Sequence, residues 1–111
     1  ILVCAIDNDE IYNRTALSIA ADDLLSIKDT KATFVIARID AETVAISARS
    51  AGEVNVQTLM EKMGGGGHFT GAALQRKESS VKELEDELLD CLDEYLKEGK
   101  RTYESNSIEW C

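Results

Sequence analysis

Residues 60–74 read MEKMGGGGHFTGAAL: four consecutive glycines closed by His68, the one histidine of the chain. Each glycine in regular structure costs roughly 0.5–1 kcal/mol relative to alanine, because its backbone has the most freedom to lose. A folded domain that holds four of them together has a reason to bring something close to bare backbone. The run also stops whatever helix precedes it, so it divides the chain into two parts that must be assembled around it.

On the N-terminal side, ILVCAI is short, continuous and apolar, as a buried strand is. Asp9 is placed to cap the helix EIYNRTALSIAADDLLSI, where Ile11, Leu17, Ala20, Leu24 and Ile27 recur near helical spacing. TFVIARI and TVAISAR are β-branched strands joined by the short DAE, a hairpin. Asn55 is placed to cap a short helix, VQTLMEKM, which the glycines end. Beyond them AALQRK reads as another strand, and Ser79 or Ser80 caps a long final helix. Its apolar stripe is Val81, Leu84, Leu88, Cys91 or Leu92, and Tyr95, and Gly99 stops it. The order β-α-β-β-α-(Gly loop)-β-α predicts an α/β fold, a small mixed sheet flanked by helices, as a single domain over 1–98. Residues 99–111 show little periodicity and are expected to form a tail, mobile or partly of vector origin.

At 111 residues the chain is long enough for one real core. No apolar run approaches the roughly 18 residues that span a bilayer, and ILVCAID lacks the basic start of a signal peptide. It also lacks an initiator Met, which is expected of a piece of a longer protein. Cys4, Cys91 and Cys111 are odd in number and far apart, so the spacing indicates neither a zinc site nor a disulfide framework. Reduced thiols in a cytosolic setting are the expectation. The net charge of −9 argues against broad binding to long nucleic acid. That charge is uneven: residues 78–98 hold nine acidic against two basic side chains. Residues 47–77 hold Arg49, Lys62, Arg76 and Lys77 against Glu53 and Glu61, so the glycine run lies in the one basic neighbourhood.

Backbone N–H groups without side chains in the way make a concave anion site, and a nearby helix terminus adds to it. His68 can add a donor, and Arg49 a two-pronged fork for a phosphate. The alternative is that GGGG serves only as a helix stop and flexible turn. The phosphate loop G-x-x-x-x-G-K-[ST] is absent, and the run follows a helix rather than a strand, which excludes a dinucleotide fingerprint. Asp7, Asn8 and Asp9 read as turn and cap rather than as a cation site. The acidic last helix reads as a solvated face. A lone His68 does not build a catalytic triad, and one histidine does not supply a hydrolytic metal centre. What remains is half a site, one that grips an anionic ligand without catalytic residues or metal ligands of its own.

ISARSAGEVNVQTLMEKMGGGGHFTGAAL resembles the DHH-associated C-terminal domain of DHH-family phosphoesterases: S-x-R at a strand end, a loop with Asn, a short helix, then G-G-G-H and small residues. The upstream SIAADDLLSIKDTKATFVIARI resembles the membrane-bound cyclic-di-AMP phosphodiesterases of that family, the GdpP type. The resemblance implies a preceding DHH domain that binds two Mn²⁺ ions and activates the attacking water. The associated domain then closes over the cleft and holds the nucleotide phosphate. Carried over by position, the substrate-binding residues are Arg49, Ser50, Gly65, Gly66, Gly67 and His68, with Asn55 beside them. Many members read A-A-G after the histidine, whereas Gly71, Ala72, Ala73 and Leu74 follow here.

The resemblance thus implies the substrate-binding domain of an enzyme hydrolysing cyclic-di-AMP to linear pApA, inactive alone and binding no cofactor itself. Its implied partners are a nucleotide or cyclic dinucleotide and the DHH domain of the same chain, with self-association as a homodimer left open. The domain is expected in the cytoplasm, on a membrane-anchored parent. Two other assignments share the motif: an oligoribonuclease or 3′-phosphoadenosine-phosphate phosphatase, and a nucleic-acid-binding module like the C-terminus of alanyl-tRNA synthetases. The acidic charge disfavours the last of these.

Overall fold

The computed structural model describes residues 1–98 and 108–111. Strand β1 (Leu2–Ala5) leads through helix α1 (Arg14–Lys28) to β2 (Ala32–Arg38), which pairs with β1 in parallel. A parallel pair needs such a crossover, and the helix covers one face of the sheet. Strand β3 (Thr43–Ser50) returns antiparallel to β2, as the short DAE link predicts. Helix α2 (Val56–Lys62), strand β4 (Gly66–Gly67), strand β5 (Gly71–Lys77) and helix α3 (Val81–Glu98) follow, and β6 (Glu109–Trp110) lies near the C-terminus. The sheet order is β4-β5-β3-β2-β1-β6, a mixed sheet between helices, which is the α/β architecture read from the sequence.

Alternation along the central strands sorts the core into two layers. Phe34 and Ile36 on β2, Val44, Ile46 and Ala48 on β3, and Ala72 and Leu74 on β5 face α2 and α3. They meet Leu59 and Met60 of α2 and Leu84, Leu88 and Leu92 of α3, the last three from the predicted stripe. Val35, Ala37 and Ala45 turn the other way, onto Leu17 and Ala21 of α1. Asn55 caps α2, its Oδ1 accepting from the Thr58 N–H at 3.2 Å. Ser80 and Glu83 cap α3 reciprocally, at 3.0 and 3.1 Å.

Three expectations need correction. Helix α1 starts at Arg14, capped by Asn13 rather than Asp9, with Asn13 Oδ1 2.7 Å from the Thr15 nitrogen. The preceding residues are held off the helix because the Tyr12 N–H bonds the Arg38 carbonyl and the Asn8 Oδ1 accepts from the Glu10 N–H. Ile11 consequently lies off the core face, and Ile27, within the helix, is on its outer side, 75% exposed. The glycine loop is in part a strand, because Gly66 and Gly67 pair with Ala73 and Ala72.

The third correction concerns the thiols: Cys4 and Cys111 form a disulfide, with Cα atoms 4.9 Å apart. Parallel pairing of β6 on β1 sets Leu2 beside Glu109 and Val3 beside Trp110, so the next residues of the two strands are neighbours. Sequence spacing cannot show this, since 107 residues separate the two cysteines. Of the expected tail, residues 108–111 lie along β1, while 99–107, with the Gly99 stop, lie outside the described residues. No helix among the described residues is long and apolar enough to cross a membrane.

Candidate functional site

Helix α1 packs mainly on β2 and β3, leaving the same face of β5 and β4 open. Ala73 and Gln75 point out on that side and are exposed, whereas Ala72 and Leu74, which alternate with them, are buried beneath. The step from covered to uncovered sheet makes an open groove of about 690 Å³. Its wall is Ser18, Asp22 and Leu25 of α1, about one helical turn apart. Arg49 and Ser50 of β3 and residues 71–73 of β5 form the floor, and Gly66, Gly67, His68 and Thr70 the far rim.

Each glycine of the run has its own reason. Gly64 has φ +98°, which L side chains rarely adopt. Gly65 lies so close to β5 that a Cβ there would collide with the Ala73 carbonyl and Leu74. Gly67 combines φ +148° with contacts of 2.5 Å from an added Cβ to Ala72 Cα. Gly66 differs from all three. Its φ is not positive, nothing lies within 4 Å of an added Cβ, and it lines the groove. Nothing within the described chain requires glycine at 66.

Hydrogen bonding of the run also departs from a nest of free donors. The Gly64, Gly65 and His68 N–H groups bond the Glu61, Met60 and Gly71 carbonyls at 3.1, 2.7 and 2.7 Å. His68 and Gly71 exchange both bonds, so antiparallel alternation turns Gly66 toward Ala73 and leaves the Gly67 N–H pointing out from the sheet edge. The run is an edge strand with one outward donor at the groove rim.

Arg49 is the cation of the groove floor. Its stem lies across Gly71, whose added Cβ would stand 3.6–3.7 Å from the Arg49 side chain. Its Nε lies 2.9 Å from Asp22 Oδ1 as an ion pair, and its Nη1 donates to the Ala48 carbonyl at 2.8 Å. Ser50 is buried at the strand end, where its Oγ accepts from the Gly52 N–H at 3.0 Å. The structure therefore gathers Arg49, Ser50, Gly66, Gly67 and His68 around one groove. It places the other two sequence candidates differently: Gly65 lies against β5, and Asn55 has its side chain committed to the α2 cap. Asp22, Ser18 and Thr70 were not legible as groove residues, because the contact between α1 and β3 that assembles them is purely tertiary. Among the described residues no group of three His, Cys, Asp or Glu is placed to hold a metal ion. What these groups offer chemically is one guanidinium and a few hydrogen-bond donors along an open groove.

The model of the DHHA1 domain matches residues 1–98. The cyclic-di-AMP phosphodiesterase GdpP of Bacillus subtilis (strain 168) is 46% identical over 93 residues, covering 84% of this chain and 14% of that protein. The cyclic-di-AMP phosphodiesterase PdeA of Listeria monocytogenes serotype 1/2a (strain 10403S) is 43% identical over 89 residues, covering 80% of this chain and 14% of that protein. The chain thus spans about one seventh of the length of these relatives, 14% in each case. Among solved structures, the pGpG-specific phosphodiesterase PggH from Vibrio cholerae superposes with a TM-score of 0.55 at 16% identity, over 83% of this chain and 32% of that one. At that identity the likeness speaks for the fold alone. On this match over residues 1–98, the chain belongs to the DHHA1 domain family.

Proposed function

We propose that this chain is the substrate-binding domain of a DHH-family phosphodiesterase acting on a cyclic dinucleotide, converting cyclic-di-AMP to linear pApA. Support comes from relatives named as cyclic-di-AMP phosphodiesterases and from the groove itself. In this proposal the DHH domain elsewhere in the same protein holds two Mn²⁺ ions and activates water, and the parent protein is anchored in the membrane. This chain contributes the grip. The free prongs of Arg49 take a phosphate as a planar fork, with His68 and the outward Gly67 N–H as further donors and Ser50 and Gly65 shaping the strands beneath. Asn55 acts from one step away, by fixing where α2, the helix that leads into the glycines, begins.

The observation that carries the proposal is Gly66. Backbone conformation or packing accounts for Gly64, Gly65 and Gly67, but at Gly66 the space for a Cβ is empty and opens onto the groove. A ligand that touches bare backbone is what remains. The test is Gly66→Val beside His68→Ala in the full-length enzyme. Valine suits a strand and its Cβ meets nothing within 4 Å, so Gly66→Val is expected to melt like wild type yet lose most of its kcat/KM. His68→Ala removes one donor to a charged group, worth roughly 1.5–3 kcal/mol, or about 10- to 150-fold in kcat/KM. A Gly66→Val enzyme that turns over like wild type shows the glycines to be a helix stop and edge strand only.

A further inference from the structure

We propose that Asp22 is a positioning residue: its carboxylate holds the Arg49 guanidinium in the plane from which it takes a substrate phosphate. This rests on the groove assignment above and adds to it a residue that no sequence motif marks.

A guanidinium has five N–H donors. Arg49 sets its Nε 2.9 Å from Asp22 Oδ1 in an ion pair and spends one Nη1 hydrogen on the Ala48 carbonyl at 2.8 Å. An ion pair at one nitrogen and a hydrogen bond at another hold the guanidinium in place, while Gly71 lets the stem lie flat on the sheet. The second Nη1 hydrogen and both on Nη2 remain, the paired edge that matches two phosphate oxygens. The rotamer freedom of a long side chain is then lost before the ligand arrives, which favours binding. A stabilising role accounts poorly for Asp22, because its side chain is 60% exposed and exposed pairs contribute little to folding. It also stands at the middle of the α1 wall, between Ser18 and Leu25, where a carboxylate repels an anionic ligand unless its charge is tied up. Arg49 ties it up.

The test is steady-state kinetics with a cyclic dinucleotide on the full-length enzyme carrying Asp22→Ala, Asp22→Asn, Arg49→Ala, or Asp22→Ala with Arg49→Ala. Freed to swing, Arg49 binds less well, so Asp22→Ala raises KM about 10-fold while kcat stays within about twofold. Asparagine keeps an oxygen beside Nε but not the charge of the pair, so the KM of Asp22→Asn falls between wild type and Asp22→Ala. Because Asp22 acts through Arg49, the double variant is no worse than Arg49→Ala alone. Wild-type melts are expected for both Asp22 variants. An unchanged or lowered KM in Asp22→Ala, with Arg49→Ala raising it, overturns the positioning role and makes Asp22 a bystander or a competitor. A wild-type KM in Arg49→Ala overturns the groove assignment itself, and the role of Asp22 with it.

Discussion

Arg76 of β5 grips Glu87 of α3 with both prongs, Nη1 to Oε1 at 2.6 Å and Nη2 to Oε2 at 2.9 Å, and its Nη2 also reaches the Met63 carbonyl at 2.6 Å. Met63 is the residue before the glycine run, so one guanidinium ties the sheet, α3 and the end of α2 together where the edge strand begins.

The first prediction is the pH dependence of that brace. The hydrogen bond from Arg76 holds the Glu87 carboxyl below the usual range, and Arg76 itself is pushed up. A lowered carboxyl stabilises the fold above its unfolded pKa of about 4.3, and the contribution vanishes as pH falls through the folded value. The Glu87 side chain is 40% exposed, so the effect is at most about 1 kcal/mol. Urea unfolding of wild type and Glu87→Gln is expected to differ at pH 7 and to converge near pH 3. A gap that does not change with pH contradicts this.

Gly65→Ala tests the packing of the edge strand rather than the groove. A Cβ there meets the Ala73 carbonyl and Leu74, backbone and core that cannot swing aside. Overpacking of that kind costs about 1–3 kcal/mol, so the melting temperature falls, whereas Gly66→Ala leaves it in place. Equal melts for the two variants are incompatible with β4 pairing on β5 as described.

For the Cys4–Cys111 pair, the expected result is a thiol count. Without reductant the native chain shows one thiol, Cys91, and it reacts slowly because burial pushes that thiol up. Reduction and unfolding expose all three. Cys111→Ser lowers stability by about 2–4 kcal/mol under oxidising conditions and has no effect in reductant. Three titratable thiols in the unreduced native chain contradict the pairing.

Alone, the 111-residue chain is expected to hydrolyse neither cyclic nor linear dinucleotides, with or without Mn²⁺, since activation of water needs a metal site. It is expected to bind nucleotide no tighter than about millimolar, near −4 kcal/mol, the groove being open on one side. Turnover that scales with purified chain, or micromolar binding by calorimetry, shows a complete site.

The sequence by itself determined the elements whose information is local. Asn55 before Val56, Ser80 before Val81 with Glu83 three residues on, and the β-branched run of β2 each specify structure through neighbours within a turn or a strand, and the structure carries all three. Tertiary structure alone decided which glycine is bare for an outside reason. Gly65 and Gly66 are the same letter, and only the closeness of β5 to one and not the other tells them apart. It alone placed Asp22 against Arg49 and Cys4 beside Cys111, because both contacts depend on where α1 and β6 settle on the sheet. That position is set by the burial of Leu17 and Ala21 and by strand register, which are sums over the whole fold and leave no mark at the residues they bring together.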